Sequence, residues 1–181
     1  MTETPAFPSR LLRGYTAFRD QRLPQESARY RILAETGQRP RTMIIGCCDS
    51  RAAPETIFDA APGELFVIRN VANLVPPYDP DGEYHGTSAA IEFGVMGLKV
   101  RYILVMGHGR CGGVQAYIAS RDAGPNAPEE PSAFIGKWIT LVAPAEKLVC
   151  ESPDDAAGRQ RALEFASIRQ GIENLRTFPS I

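Results

Sequence analysis

Thr42-Met43-Ile44-Ile45-Gly46-Cys47-Cys48-Asp49-Ser50-Arg51 is the stretch on which the fold turns. Its first six residues make a short apolar run with the length and β-branched content of a buried strand. The run then breaks into thiols, a carboxyl and a guanidinium. A similar pattern returns in Arg101-Tyr102-Ile103-Leu104-Val105-Met106, followed by Gly107-His108-Gly109-Arg110-Cys111-Gly112-Gly113. Between the two lies Leu65-Phe66-Val67-Ile68, introduced by the turn pair Pro62-Gly63. Helical patterns alternate with these runs: residues 54–60, started by Pro54; residues 87–98, with Ala89, Ala90, Phe93 and Met96 on one side; and residues 114–121. Strand and helix in alternation predict an α/β fold, a parallel sheet core flanked by helices on both faces. In such sheets ligands bind beyond the carboxyl ends of the strands, where strand order reverses. If the first and third strands are neighbours, the two polar motifs meet there.

Working outward, residues 9–37 read as an N-terminal helical arm of two helices interrupted at Leu23-Pro24. Pro24 suits a first helical turn, Gly37 a helix end, and Pro40 forbids continuation. Leu11, Leu12, Tyr15 and Phe18 share one face, so the arm packs on this subunit or on a partner. Residues 70–86 read as loop, with Pro76, Pro77, Pro80 and the pair Asp81-Gly82. The stretch Asp122 to Ser132 reads as an exposed loop within the domain, and residues 133–150 and 157–176 as helices, the first broken by Pro144. The 181 residues suit one domain spanning the whole chain.

Twenty Lys and Arg against 21 Asp and Glu leave a net charge of -1, which gives no reason to expect nucleic acid or an anionic membrane as partner. No apolar run approaches the roughly 18 residues of a membrane helix. The opening residues lack the apolar core of an export signal, so a cytoplasmic, reducing location is expected. There the four cysteines, Cys47, Cys48, Cys111 and Cys150, do not read as a disulfide framework.

Zinc favours thiolate and imidazole in tetrahedral arrangement, and Cys47, His108 and Cys111 supply two thiolates and one imidazole. Three protein ligands leave a fourth position open, the arrangement of a catalytic site. Two thiolates offset the zinc charge, so water bound there ionises less readily than at three histidines, yet far more readily than in bulk. Asp49 and Arg51 lie two residues apart and share a side of an extended segment. Asp49 either takes the fourth position itself or, held bidentately by Arg51, accepts a hydrogen bond from the nucleophile. Each motif alone is weak, and their joint placement at strand ends carries the metal reading. Cys48 and Cys150 read as small buried apolar residues, and His85 as a solvated loop residue.

At these residues the sequence resembles the β-class carbonic anhydrases. The family's C-x-D-S-R stands as Cys47 to Arg51, and its H-x-x-C as His108 to Cys111. The resemblance continues through Pro62-Gly63-Glu64, residues 69–78, residues 89–93, Ser167-Ile168 and residues 174–179, and so covers roughly residues 10–181. It implies reversible hydration of carbon dioxide to bicarbonate and a proton by zinc-bound hydroxide. Cys47, His108 and Cys111 would hold zinc, and Asp49 with Arg51 would orient the hydroxide. The resemblance further implies substrate contacts from Gln38, Phe66, Val71, Phe93 and the backbone N–H of Gly112. It implies a homodimer or larger homo-oligomer whose arm crosses to the partner. No proton shuttle is named by the sequence. Relatives usually run on past Phe178-Pro179 into another strand or two, so a C-terminal strand region is expected to be missing here.

Two rival functions keep the motifs. One is a structural or redox-sensing zinc protein with Asp49 permanently on the metal. The other is a hydrolase of the same fold acting on carbon disulfide or carbonyl sulfide. Some bacterial relatives close the site by swinging the Asp onto zinc when a second bicarbonate binds beside a Trp three residues before the first ligand Cys. That position is Ile44 here, which donates nothing to an anion, so an open site is expected, with Asp49 on the metal only in a closed state. Arg69 matches another residue of that second site without deciding the matter.

Overall fold

The computed structural model describes residues 7–81, 85–124, 134–149 and 155–181. Two compact units divide between Gln38 and Arg39.

The first unit is helical. Helix α1 (Ser9–Ala17) passes through a wide π-type turn at Phe18–Arg22 into α2 (Leu23–Thr36). The expected interruption at Leu23-Pro24 is therefore a widened turn within a continuous helical run. Pro24 has no N–H to give and its ring crowds the carbonyl four residues back. The wider turn absorbs that misfit while Ala17, Arg22 and Leu23 keep helical angles. Gly37 ends α2 with a φ of 77°, a left-handed conformation that costs glycine nothing. None of the three segments has a buried residue.

The second unit is built on β1 (Thr42–Cys47), β2 (Leu65–Asn70) and β3 (Tyr102–Met106), parallel and in the order β2-β1-β3. Central β1 is buried from Met43 to Cys47, as expected of a strand covered on both faces. Cys47 pairs with Asn70 on one side and Gly46 with Met106 on the other. The first and third runs are thus neighbours, and both motifs leave the same, carboxyl end of the sheet. Strand β2 runs two residues further than its apolar run suggests, taking in Arg69 and Asn70. A single 3₁₀ turn, Val71–Asn73, follows it where loop was expected.

Helices α3 (Pro54–Ile57), α4 (Gly86–Glu92), α5 (Gly112–Ala123), α6 (Ile135–Ile139) and α7 (Ala156–Leu175) cover the sheet. A 3₁₀ segment, Thr140–Leu148, contains Pro144 and continues α6. One core cluster joins Met43, Ile45, Ile68, Val75, Ile91, Val105, Leu175 and Phe178. The other, at the carboxyl end of β1, joins Cys47, Ala72, Cys111, Val114, Val142 and Leu163 among others. α4 turns Ile91 and Gly94 inward. Of the face singled out by spacing, Ala90 packs against the core whereas Ala89, Phe93 and Met96 stay exposed; from Phe93 onward a wide turn, Phe93–Gly97, breaks the regular helical count. Most of the proline-rich stretch after α5 and Cys150 lie outside the described residues.

Candidate metal centre

The turn after β1 and the turn after β3 bring three donors together. Cys47 Sγ, His108 and Cys111 Sγ offer ligand atoms that all lie within 4.8 Å of one another. A tetrahedral zinc with Zn–S near ~2.3 Å and Zn–N near ~2.0 Å spaces its ligands by roughly 3.5–4 Å, so the cluster needs little adjustment. Cys47 and Cys111 are 5% and 2% exposed. His108 Nε2 is buried and has no hydrogen-bond partner. His108 Nδ1 sits 3.1 Å from Gly109 O. A carbonyl only accepts, and this contact is shorter than the 3.4 Å from the Arg51 Nη2 donor to the same nitrogen, so we assign the proton to Nδ1, which leaves the Nε2 lone pair for the thiols. An orphaned imidazole nitrogen between two thiols suits a borderline-soft divalent metal, and zinc fits this donor set.

Main-chain donors favour thiolate at both cysteines. Cys47 Sγ accepts from Asp49 N–H at 3.5 Å and from Ala72 N–H. The donor at Ala72 is aimed by strain: Ala72 and Asn73 have φ of 64° and 48°, a left-handed pair that residues with a Cβ resist. Asn70 holds that pair in place. Its side chain takes the Leu74 N–H and donates to the Leu74 carbonyl, both at 2.8 Å, and Trp138 Nε1 donates to Val71 O at 2.8 Å. Cys111 precedes α5, and its sulfur faces the N–H groups of Val114 and Gly113. The two thiols also share a hydrogen bond. Contact with Cys111 is the largest cause that brings the Cys47 thiol down to about 4, and the same contact pushes Cys111 up.

Asp49 stands beside this cluster and is tied away from it. Arg51 grips its carboxyl with Nε on Oδ1 at 2.9 Å and Nη2 on Oδ2 at 2.8 Å, and the Arg51 N–H adds a third bond to Oδ1 at 2.9 Å. The Arg51 contacts hold the Asp49 carboxyl well below the usual carboxylate range. Asp49 Oδ2 lies 3.9 Å from His108 Nε2. Arg51 Nη2 also donates to Arg110 O at 3.1 Å, lacing the β1 turn to the β3 turn.

Arg69, from the unforeseen end of β2, donates to Cys47 O at 3.0 Å and Asp49 O at 2.8 Å. Its role as a clamp on the β1 turn was not legible beforehand, because a main-chain carbonyl leaves no trace in sequence.

The other expected site residues are spread out. Val71 lies against the α5 start, where a Cβ on Gly113 would meet Val71 Cγ1 at 3.0 Å. Gly112 opens α5 with free space around it. Phe66 and Phe93 pair with each other, ring centroids 5.9 Å apart. Phe66 aligns with Met43, four residues upstream of Cys47 and so about 13 Å away along the strand. This chain does not bring them to its own cluster. Gln38 is exposed in the N-terminal unit. Cys48, expected buried, is exposed, because it lies just past the end of β1, where the chain leaves the covered part of the sheet. His85 is exposed, as a loop histidine should be.

A parallel sheet with two thiols and an imidazole gathered at its carboxyl end defines a class: α/β proteins with a candidate metal centre at the strand ends. The family model described as carbonic anhydrase matches residues 42–181. Beta carbonic anhydrase 3 of Arabidopsis thaliana is 31% identical over 174 residues, which make up 95% of this chain and 66% of that protein. The chain thus spans just under two thirds of that relative's length. Among solved structures, the β-carbonic anhydrase CcaA is 28% identical with a TM-score of 0.83, covering 96% of this chain and 75% of that one. A tetrameric β-carbonic anhydrase of Sordaria macrospora is also 28% identical, with a TM-score of 0.76, covering 95% of this chain and 82% of that one. The chain belongs to the carbonic anhydrase family, within its β class.

Proposed function

We propose that the chain catalyses the reversible hydration of carbon dioxide to bicarbonate and a proton, with one zinc held by Cys47, His108 and Cys111. The observation that carries this reading is the bare, buried His108 Nε2 among two thiols, with the nearest carboxyl, Asp49, kept off by Arg51. Bound zinc supplies the acidification of water that makes hydroxide available near neutral pH. Asp49 Oδ2 accepts the hydrogen of the attacking hydroxide, so that an oxygen lone pair faces carbon dioxide. Arg51 keeps Asp49 ionised and fixed. Gly112, with its N–H at the positive start of α5, offers a donor to the forming anion. The proton released by hydration would leave to buffer.

The substrate pocket is completed by a second copy. The arm has no buried residue, and Leu11, Leu12, Tyr15 and Ile32 are all more than half exposed. Gln38, Phe66 and Phe93 contribute to a partner's site, and Val71 to the chain's own. No helix among the described residues is long and apolar enough to cross a membrane. We place the chain in the cytoplasm, where its ligand thiols stay reduced.

The test is metal content together with stopped-flow hydration of carbon dioxide on the purified chain. We expect about one zinc per chain and rapid hydration. Full zinc without hydration would indicate a structural site, and turnover of carbon disulfide or carbonyl sulfide instead would reassign the substrate.

A further inference from the structure

Cys111 is gripped from behind by α7. Its backbone N–H donates to Glu164 Oε1 at 2.8 Å, and its carbonyl accepts from Gln160 Nε2 at 3.2 Å. Gln160 Nε2 also donates to Glu164 Oε1 at 3.0 Å. Two side chains one helical turn apart therefore engage both main-chain groups of a single ligand residue.

Local structure shows why a grip is needed. Cys111 stands just before α5, so its N–H precedes the helical ladder. At 2% exposure the residue has little access to water as a substitute acceptor. Arg110, the residue before it, is left-handed at a φ of 55°, a conformation that residues with a Cβ leave unless held. The direction of the Cys111 main chain sets where its sulfur points. That sulfur must face Cys47 and His108 while resting on the N–H groups of Gly113 and Val114.

We propose that Glu164, seconded by Gln160, is a positioning residue of the metal centre. It fixes the Cys111 main chain so that the thiolate is aimed before any metal arrives. This rests on the metal reading above. Glu164 touches no reacting atom and acts through Cys111. An oxygen acceptor is what the N–H requires, so Gln can stand in for Glu, whereas Ala cannot.

The experiment compares the wild-type chain with Glu164→Ala, Glu164→Gln and Gln160→Ala. Zinc affinity is measured by competition with a chromophoric chelator, and the thiolate-to-metal absorption is measured after loading with Co²⁺. Circular dichroism melting of each metal-free protein reports on folding. We expect Glu164→Ala to bind zinc roughly 10–100-fold more weakly, the usual effect of losing a partner of a metal ligand, with an altered Co²⁺ spectrum. Glu164→Gln should stay within about tenfold of wild type. Gln160→Ala folds with less risk and should show a smaller loss in the same direction. Wild-type affinity and an unchanged Co²⁺ spectrum in Glu164→Ala overturn the proposal, and so does Glu164→Gln failing as badly as Glu164→Ala. Should Glu164→Ala not fold, an unaltered affinity and spectrum in Gln160→Ala overturn it instead. A wild-type chain that takes up no zinc overturns the metal reading and this inference together, whereas the other negative results leave the metal reading standing.

Discussion

At the scale of single residues, the centre balances one ion pair against one metal position. Arg51 supplies three hydrogen bonds to Asp49, and bidentate contact is the geometry a guanidinium holds best. Arg51→Ala frees the carboxylate to take the metal, and we expect turnover to fall roughly 10–100-fold while zinc is retained. Stopped-flow hydration with metal analysis checks both halves. The same pair sets an acid limit. The Asp49 pKa is depressed in the folded chain, so its contribution to stability is complete above the unfolded value of about 3.9 and is lost as pH falls through the folded value. No activity limb above about pH 5 therefore belongs to Asp49, and Arg51→Ala should shift acid unfolding of the metal-free protein to higher pH. Cys111→Ser removes one thiolate and should lose most of the zinc. Full stoichiometry in that variant would show the ligand set to be wrong.

At the scale of elements, the fit of α5 onto the Val71–Asn73 turn positions Cys111, the third candidate ligand. A Cβ on Gly113 would lie 2.8 Å from Ala72 Cβ and 3.0 Å from Val71 Cγ1. Alanine improves helix propensity by at most about 1 kcal/mol. Overpacking a tight contact costs about 1–3 kcal/mol, and Ala72 is a short side chain on a strained turn that cannot swing aside. The clash should win. Gly113→Ala is expected to melt several degrees lower and to bind zinc more weakly, as calorimetry and chelator competition would report. An unchanged melting temperature would mean that the two segments separate freely. Elements also explain where spacing misled. Wide turns at Phe18–Arg22 and Phe93–Gly97 shift the helical phase, which a regular 3.6-residue count does not register.

At the scale of the whole molecule, the arm and the sheet unit leave apolar surface that one chain does not cover. Leu11, Leu12, Tyr15 and Ile32 are exposed on the arm, and Phe93, Met96, Tyr102 and Phe165 are exposed on the second unit. Burying surface of this kind is the ordinary driving force of assembly. Sedimentation velocity at micromolar concentration should show a dimer or larger species, and removal of residues 1–37 should yield smaller species with reduced activity. A fully active monomer would sink the shared-pocket reading.

Sequence by itself determined the strand–helix alternation, the parallel sheet and the three candidate ligands. Those depend on local periodicity and on residue chemistry, which are written in order along the chain. Asp49 and Arg51 were legible for the same reason, being two residues apart. Only the tertiary structure decided that β1 and β3 are neighbours, and so turned a possible meeting of the two motifs into a cluster within 4.8 Å. It alone placed Arg69 on two carbonyls of the β1 turn and Glu164 on the Cys111 N–H. Those contacts join side chains to main-chain groups 20 to 53 positions away. A main-chain group is the same at every residue, so sequence cannot mark which one a distant side chain will reach.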